Sequence, residues 1–245
     1  MKCAPRKRAL VLSGGGMFGA WQAGAWRALA DRWQPDLVVG ASVGSLNGYA
    51  IAGGASPAEL AEFWRNPAHA DFARLPQTLS KLFARFSQQV EYAVVLTEVP
   101  RFKPRVFRGS EVTWRHLAAS CAIPLVLRPY KFNKRWHFDG GLLNPLPLWA
   151  AVELGATEIV ALHALPEIPS RWMKPLVSAF RGTLGYNPPL AAGIELTLIQ
   201  TDGPIGSMRD ALKWNRENVE RWLQLGFDDA LAGVLALEQA DKSLR

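Results

Sequence analysis

Short runs of unbroken apolar residues alternate along this chain with stretches of helical periodicity. Ala9-Leu10-Val11-Leu12 is apolar throughout, the pattern of a strand buried on both faces of a parallel sheet. The turn Ser13-Gly14-Gly15-Gly16-Met17-Phe18-Gly19 follows, and Ala20 to Ala30 then reads as a helix with Trp21, Ala25, Ala28 and Leu29 on one face. Pro35 ends it, and Leu37-Val38-Val39 is a second buried strand, which completes a βαβ unit. A turn with glycine on both sides of one serine, Gly40-Ala41-Ser42-Val43-Gly44, leads into the next helix.

The pattern continues in the same alternation. Ser56-Pro57-Ala58-Glu59 starts a helix through Trp64, with serine as N-cap and proline in the first turn. Leu75, Leu79, Leu82, Phe83, Phe86 and Val90 repeat at helical spacing beside Arg74, Lys81 and Arg85. That segment is either a helix packed on the core or an amphipathic flap that touches lipid. Glu91 to Val99 and Arg105 to Phe107 read as strands, and Thr113 to Ala122 as a helix ending before Pro124. Tyr130–Phe132 and Arg135–Phe138 form a hairpin pattern that runs into Asp139-Gly140-Gly141. A helix follows Asn144-Pro145 as far as Glu153, with Gly155 at its C-cap, and Glu158 to Leu162 is a further buried strand. Residues 164–190, rich in proline and glycine, read as a mobile loop or cap. Ile194 to Gln200 is the last strand, and helices are expected over 207–225 and 227–239 with Gly226 as the break.

Composition narrows the class. The chain has 245 residues, 49% of them hydrophobic, with no Gly/Ser linker and no repeat, so one domain with a sizeable core is expected. A net charge of +7 fits an anionic membrane surface or nucleic acid. No nucleic-acid-binding signature is visible, so nucleic acid is not expected as a partner. Two cysteines make no disulfide framework, and the four histidines are too dispersed for a metal site. The basic N-terminus runs into a strand and a glycine turn rather than a cleavable leader, and no run of about 18 apolar residues occurs. A cytoplasmic protein, peripheral at most to the inner membrane surface, is the expectation.

Three turns carry candidate chemistry. Gly40 to Gly44 fits G-x-S-x-G, in which the nucleophile sits on a tight strand-to-helix turn and flanking side chains would clash. Gly14-x-Gly16-x-x-Gly19 matches a dinucleotide fingerprint in form, but the acidic residue that should close the second strand is absent, since Asp36 precedes that strand. Alternatively the backbone N–H groups of Gly15, Gly16 and Met17 cradle a developing oxyanion at a helix start. Either turn could also be a plain glycine turn. Serine needs a base. Asp139 ends a strand-like run ahead of two glycines, open to close approach, although Asp-Gly also makes ordinary hairpin turns. A triad Ser42…Asp139…His163 has the chain order of many hydrolases, and His137 is also available.

Taken together, the glycine turn Gly14 to Gly19, the serine turn Gly40 to Gly44, the block Ala119-Ser120-Cys121-Ala122-Ile123-Pro124 and the turn Asp139-Gly140-Gly141 resemble the patatin-like phospholipases, in family order. The resemblance covers about residues 8–163, with a familiar helical tail at about 210–231. It implies a three-layer α/β/α fold around a mainly parallel sheet, in one domain over residues 1–245 (core about 8–200, helical tail about 207–240). It implies a Ser–Asp dyad without histidine, Ser42 as nucleophile and Asp139 as base. Gly14, Gly15 and Gly16 would form the oxyanion hole, and Gly40 and Gly44 would shape the nucleophile turn. No cofactor or metal is implied. The implied substrates are fatty acyl esters, including phospholipids, with peripheral membrane contact. A catalytically impaired lipid- or partner-binding member is the alternative. The chain departs from the family at Phe18, where arginine or lysine is usual.

Overall fold

A computed structural model describes residues 6–124, 127–167 and 173–243. In chain order the elements are β1 (Arg8–Leu12), α1 (Gly19–Leu29), β2 (Leu37–Ala41), α2 (Val43–Ala52), α3 (Pro57–Arg65), α4 (Leu75–Arg85), β3 (Glu91–Val99) and β4 (Lys103–Arg108). They continue with α5 (Trp114–Ser120), β5 (Tyr130–Phe132), β6 (Arg135–Phe138), α6 (Leu148–Glu153), β7 (Glu158–His163), α7 (Met173–Leu184), β8 (Glu195–Gln200), α8 (Met208–Leu212) and α9 (Arg216–Ser243).

The strands form one mixed sheet in the order β5-β6-β3-β2-β1-β7-β8, with β4 also paired to β3. The run β3-β2-β1-β7-β8 is parallel; β4, β6 and β5 pair antiparallel. The apolar runs are explained by burial on both faces. Leu10, Leu12, Val38, Val94 and Val160 enter one core, under α1, α2, α3, α4, α5 and α9. Their neighbours Ala9, Val11, Val39, Val95 and Ile159 enter a second core, with Trp149 of α6. The expected arrangement of a mainly parallel sheet with helices on both faces is therefore present.

The pairing of β3 positions the site. Its edge from Glu91 to Val95 pairs with β2, while Thr97 to Val99 pair with β6 on that same edge, because β4 occupies the other. β2 and β6 thus meet end to end across Leu96. Ser42, one residue past β2, and Asp139, one residue past β6, approach each other at that junction. Glu98 pins the antiparallel end: its buried carboxylate accepts from Arg105 Nε at 2.7 Å and Arg135 Nη1 at 2.9 Å. Burial pushes the Glu98 pKa up, but the two arginines outweigh it and hold it below the usual carboxylate value.

Three expectations change. The helical tail is not broken at Gly226. The break is at Lys213 to Asn215, between α8 and α9, and α9 runs through Gly226. A Cβ on Gly226 would lie 1.9 Å from the Trp21 carbonyl oxygen, and one on Gly24 2.0 Å from that of Leu223. The two glycines serve a backbone-to-backbone crossing of α1 and α9 rather than a helix end. The 164–190 segment holds the helix α7 in its described part; residues 168–172 lie outside the described residues. The periodicity of 75–90 ends as helix at Arg85, where Phe86 turns extended, and α4 packs Thr78, Leu79 and Leu82 into the core. Ser56 caps α3 as expected, with the reciprocal Glu59 bond.

Candidate active site

Ser42 sits between β2 and α2 at φ 53°, ψ −131°, a region that costs a residue with a side chain about 1–3 kcal/mol. Neighbouring hydrogen bonds hold it there. Ser42 N–H donates to Ser120 Oγ at 2.8 Å, and Ser120 Oγ donates to the Val95 carbonyl at 2.8 Å. Ser45 Oγ and N–H both donate to the Ser42 carbonyl, at 2.6 and 2.8 Å. The flanking glycines are required by contact: a Cβ on Gly40 would lie 2.3 Å from the Gly44 carbonyl oxygen, and one on Gly44 2.4 Å from that of Leu12.

Ser42 Oγ donates directly to Asp139 Oδ2 at 2.6 Å, with no imidazole between them. Asp139 Oδ1 accepts from Gly141 N–H at 2.7 Å, which fixes the plane of the carboxylate. Thr97 Oγ1 donates to the Asp139 carbonyl at 2.8 Å, and Asp139 N–H donates to that of Ala122 at 3.1 Å. Gly140 must be glycine, since a Cβ there would lie 1.9 Å from the Val95 carbonyl oxygen.

The glycine turn closes the third side. A Cβ on Gly14 would lie 3.2 Å from Ser42 Cβ and 3.9 Å from Gly141 Cα, so the three turns converge. Gly14 departs from the expectation of an oxyanion donor: its N–H donates to the Pro145 carbonyl at 2.9 Å and is occupied. Its part is close approach. The N–H groups of Gly15 and Gly16 have no hydrogen-bond partner among the described residues. They stand at the start of the helical turn that feeds α1, where N–H groups and dipole favour negative charge. Gly16 has φ +58°, and a Cβ there would strike the Ala211 carbonyl oxygen. Phe18 is fully buried, edge-on to the Trp222 ring at 5.0 Å between centroids.

A cavity of about 540 Å³, counting its open mouth, lies against Ser42 and Gly16. Its walls include Val43, Leu46, Phe63, Trp64, Leu75 and Trp214. Cys121 also lines it; burial, and then the Asp139 charge, push its thiol far above the usual range, so it is a neutral group beside the serine.

The histidines are placed elsewhere than between Ser42 and Asp139. His137 packs among Phe107 and Phe132, with centroids at 5.6 and 5.5 Å, and burial lowers its pKa. His116 stacks on Phe132 at 4.1 Å; burial, then His137 and Arg115, lower its pKa to about 4. His163 ends β7 opposite Gln200 of β8. His69 stacks on Phe63 at 4.3 Å, and its Nδ1 is 2.9 Å from the Phe63 carbonyl.

Two supports were not singled out from the residues alone. Ser120, which orients Ser42, lies in the alanine-serine block and had no role assigned. Asn47 donates to the Gly19 carbonyl at 2.9 Å and to Gln22 at 3.0 Å, while Trp64 donates to it at 3.0 Å. Gln22 in turn donates to the Ser13 carbonyl at 2.8 Å, so the glycine turn is tied to α2. The signal was present: Asn47 is the one amide side chain in α2, where every residue is buried.

A mostly parallel sheet flanked by helices, with a serine on a strained elbow at its carboxyl edge, is the architecture of an α/β hydrolase. The chain belongs to the patatin-like phospholipase family, whose sequence profile it matches over residues 10–102 and 83–152. It is 29% identical over 179 residues to human patatin-like phospholipase domain-containing protein 6, a stretch that is 63% of this chain and 13% of that protein. It is 27% identical over 180 residues to the lysophospholipase nte1 of Aspergillus oryzae, 64% of this chain and 12% of that protein. The chain thus matches about an eighth of the length of these relatives. Among solved structures, VipD from Legionella pneumophila shares the fold with TM-score 0.56 and 13% identity, over 95% of this chain and 67% of that one.

Proposed function

We propose that this protein is a serine acyl hydrolase that cleaves fatty acyl esters with a Ser42–Asp139 dyad. The observation that carries the proposal is the direct 2.6 Å hydrogen bond from a serine held on a strained elbow to a carboxylate whose other oxygen is already fixed. In this reading Asp139 Oδ2 takes the Ser42 proton as Oγ attacks the ester carbonyl. The tetrahedral oxyanion rests on the N–H groups of Gly15 and Gly16, each worth about 3 kcal/mol in the transition state. The leaving alcohol takes the proton back from Asp139. Water, deprotonated by the same carboxylate, then releases the acyl group from Ser42. The apolar cavity at Ser42 supports a fatty acyl substrate, as does membership of a phospholipase family whose relatives include a named lysophospholipase.

Peripheral membrane contact belongs to the same proposal, supported by the net charge of +7. Among the described residues no helix is long and apolar enough to cross a membrane. A second reading, a non-catalytic lipid binder, draws on Phe18, which puts an aromatic ring into the core where the family has a cation. Fluorophosphonate labelling separates the two, because an unactivated serine does not react. Hydrolysis of p-nitrophenyl esters is expected to vanish in Ser42→Ala and to fall by at least about a hundredfold in Asp139→Asn. Wild-type turnover in either variant overturns the dyad.

A further inference from the structure

The positive charge of this chain is concentrated in one segment. Residues 99–138 hold nine lysines and arginines and one side-chain carboxylate, Glu111, a net of +8. The whole chain carries +7, so all other residues together come to −1. The fold gathers six of the nine cations in one place. β2 ends its pairing with β3 at Val95, but β3 continues to Val99. Four further residues at about 3.3 Å each carry β3 ~13 Å past the end of β2, at the carboxyl edge where Ser42 stands. The turn to β4 and the β5–β6 hairpin ride on this extension, since Glu98 pairs with Lys103 and Val99 with Trp136. Together they form a prong.

Arg101, Lys103, Lys131 and Lys134 are exposed on the prong, and among the described residues none of the four is ion-paired. Arg105 and Arg135 share the single buried carboxylate of Glu98, which leaves one positive charge uncancelled. Trp136 stands amid these cations, 47% exposed, with Lys131 Nζ 5.4 Å from its ring centroid. A tight turn at Asn133-Lys134, both with positive φ, puts Lys134 at the hairpin tip. Trp136 is three residues from Asp139, ~10 Å of extended chain.

We propose that this prong docks the protein on an anionic phospholipid surface. The composition favours a membrane over other polyanions: flexible cations surround one exposed indole, the side chain that settles at the lipid–water boundary. The cations are drawn to negative headgroups, an attraction that salt screens, and an inserted indole adds a contribution that salt does not screen. Position agrees, because the prong projects from the edge that bears Ser42, so a bilayer seated on it lies on the serine's side of the sheet. The proposal rests on the hydrolase reading only for what the surface delivers; docking itself needs no turnover.

The test is co-sedimentation of the Ser42→Ala protein with vesicles of phosphatidylcholine alone or mixed with phosphatidylserine. Binding is expected only to the mixed vesicles. Lys131→Gln/Lys134→Gln is expected to weaken it about 25-fold, at about fivefold, or ~1 kcal/mol, per lysine, with the difference closing in high salt. Trp136→Ala is expected to weaken it about tenfold at any salt concentration. Arg27→Gln/Arg32→Gln removes the same charge from the end of α1, at the opposite edge of the sheet, and is expected to change affinity less than about twofold. An equal loss in both double variants means that net charge alone drives binding and overturns the proposal. Equal binding to both kinds of vesicle overturns it too, as does a DNA oligonucleotide that binds more tightly than the mixed vesicles. Prong-dependent binding by a wild type without esterase activity keeps the docking surface and overturns only the hydrolase reading.

Discussion

Replacing Ser120 with alanine tests whether the elbow is held from behind. Ser120 is completely buried, and its hydroxyl is the sole intermediary between Ser42 N–H and the Val95 carbonyl, at 2.8 Å on each side. Alanine removes both bonds and leaves a buried N–H without a partner, which costs about 1–3 kcal/mol, while the carbonyl loses a bond worth about 1 kcal/mol. The sum is ~3 kcal/mol, which for a chain of this size lowers Tm by about 6–12 °C. The second consequence is kinetic. Without its anchor the Ser42 backbone relaxes from φ 53° towards an unstrained basin. Displacing Oγ from Asp139 by even part of an ångström is expected to lower kcat about ten- to a hundredfold with little change in KM. Calorimetry and p-nitrophenyl ester kinetics on the purified variant measure both. A Tm within 2 °C of wild type together with unchanged kcat would show that Ser120 neither holds the elbow nor matters to the reaction.

Gly226→Ala places a methyl group against the Trp21 carbonyl and is expected to destabilise by about 1–3 kcal/mol, read as a lower urea midpoint; an unchanged midpoint refutes the backbone contact. Phe18→Lys, which restores the family's cation, buries an ammonium against the Trp222 ring and is expected to cost at least about 3 kcal/mol. A stable variant with faster phospholipid turnover refutes the view that this position is core. His116 is held neutral in the fold, its pKa depressed to about 4 by burial, so below the ordinary value of about 6.5 the unfolded chain binds the extra proton. Stability from this group is therefore present above about pH 6.5 and falls as pH drops towards 4, by at most ~3 kcal/mol and nearer ~1 kcal/mol after solvent screening. Urea midpoints between pH 7.5 and 4.5 are expected to fall less steeply in His116→Phe than in wild type, and equal slopes refute the assignment.

The parts of this molecule that were legible in its sequence are those governed by local rules. Apolar runs such as Ala9–Leu12 announce strands buried on both faces, and the glycines at 40 and 44 announce a turn that tolerates no side chain. Asp139-Gly140-Gly141 was recognisable from its residues as a turn carrying a candidate base, and its pairing with Ser42 came from the family resemblance rather than from any local rule. That proximity depends on β2 and β6 sharing one edge of β3, a pairing between segments far apart in sequence that no local pattern encodes. Gly226 misled for a related reason: glycine ends helices by its φ, but here it stays helical and yields space to another helix. Proline and glycine in 164–190 likewise signal breaks, yet α7 runs through Pro175 in its first turn and Gly182 near its end. Gly14 reads as a donor because it stands in the same glycine run as Gly15 and Gly16; the Pro145 carbonyl that occupies its N–H comes from a distant loop.

The contact of Phe18 with Trp222, and of Gly16 with the Ala211 carbonyl, makes the last third of the chain the back wall of the first turn. The shape of the first glycine turn is therefore a long-range property: the ring that backs Phe18 and the carbonyl that faces Gly16 are both supplied by helices far downstream in the sequence, so a substitution at Trp222 reaches the turn beside Ser42 without touching it.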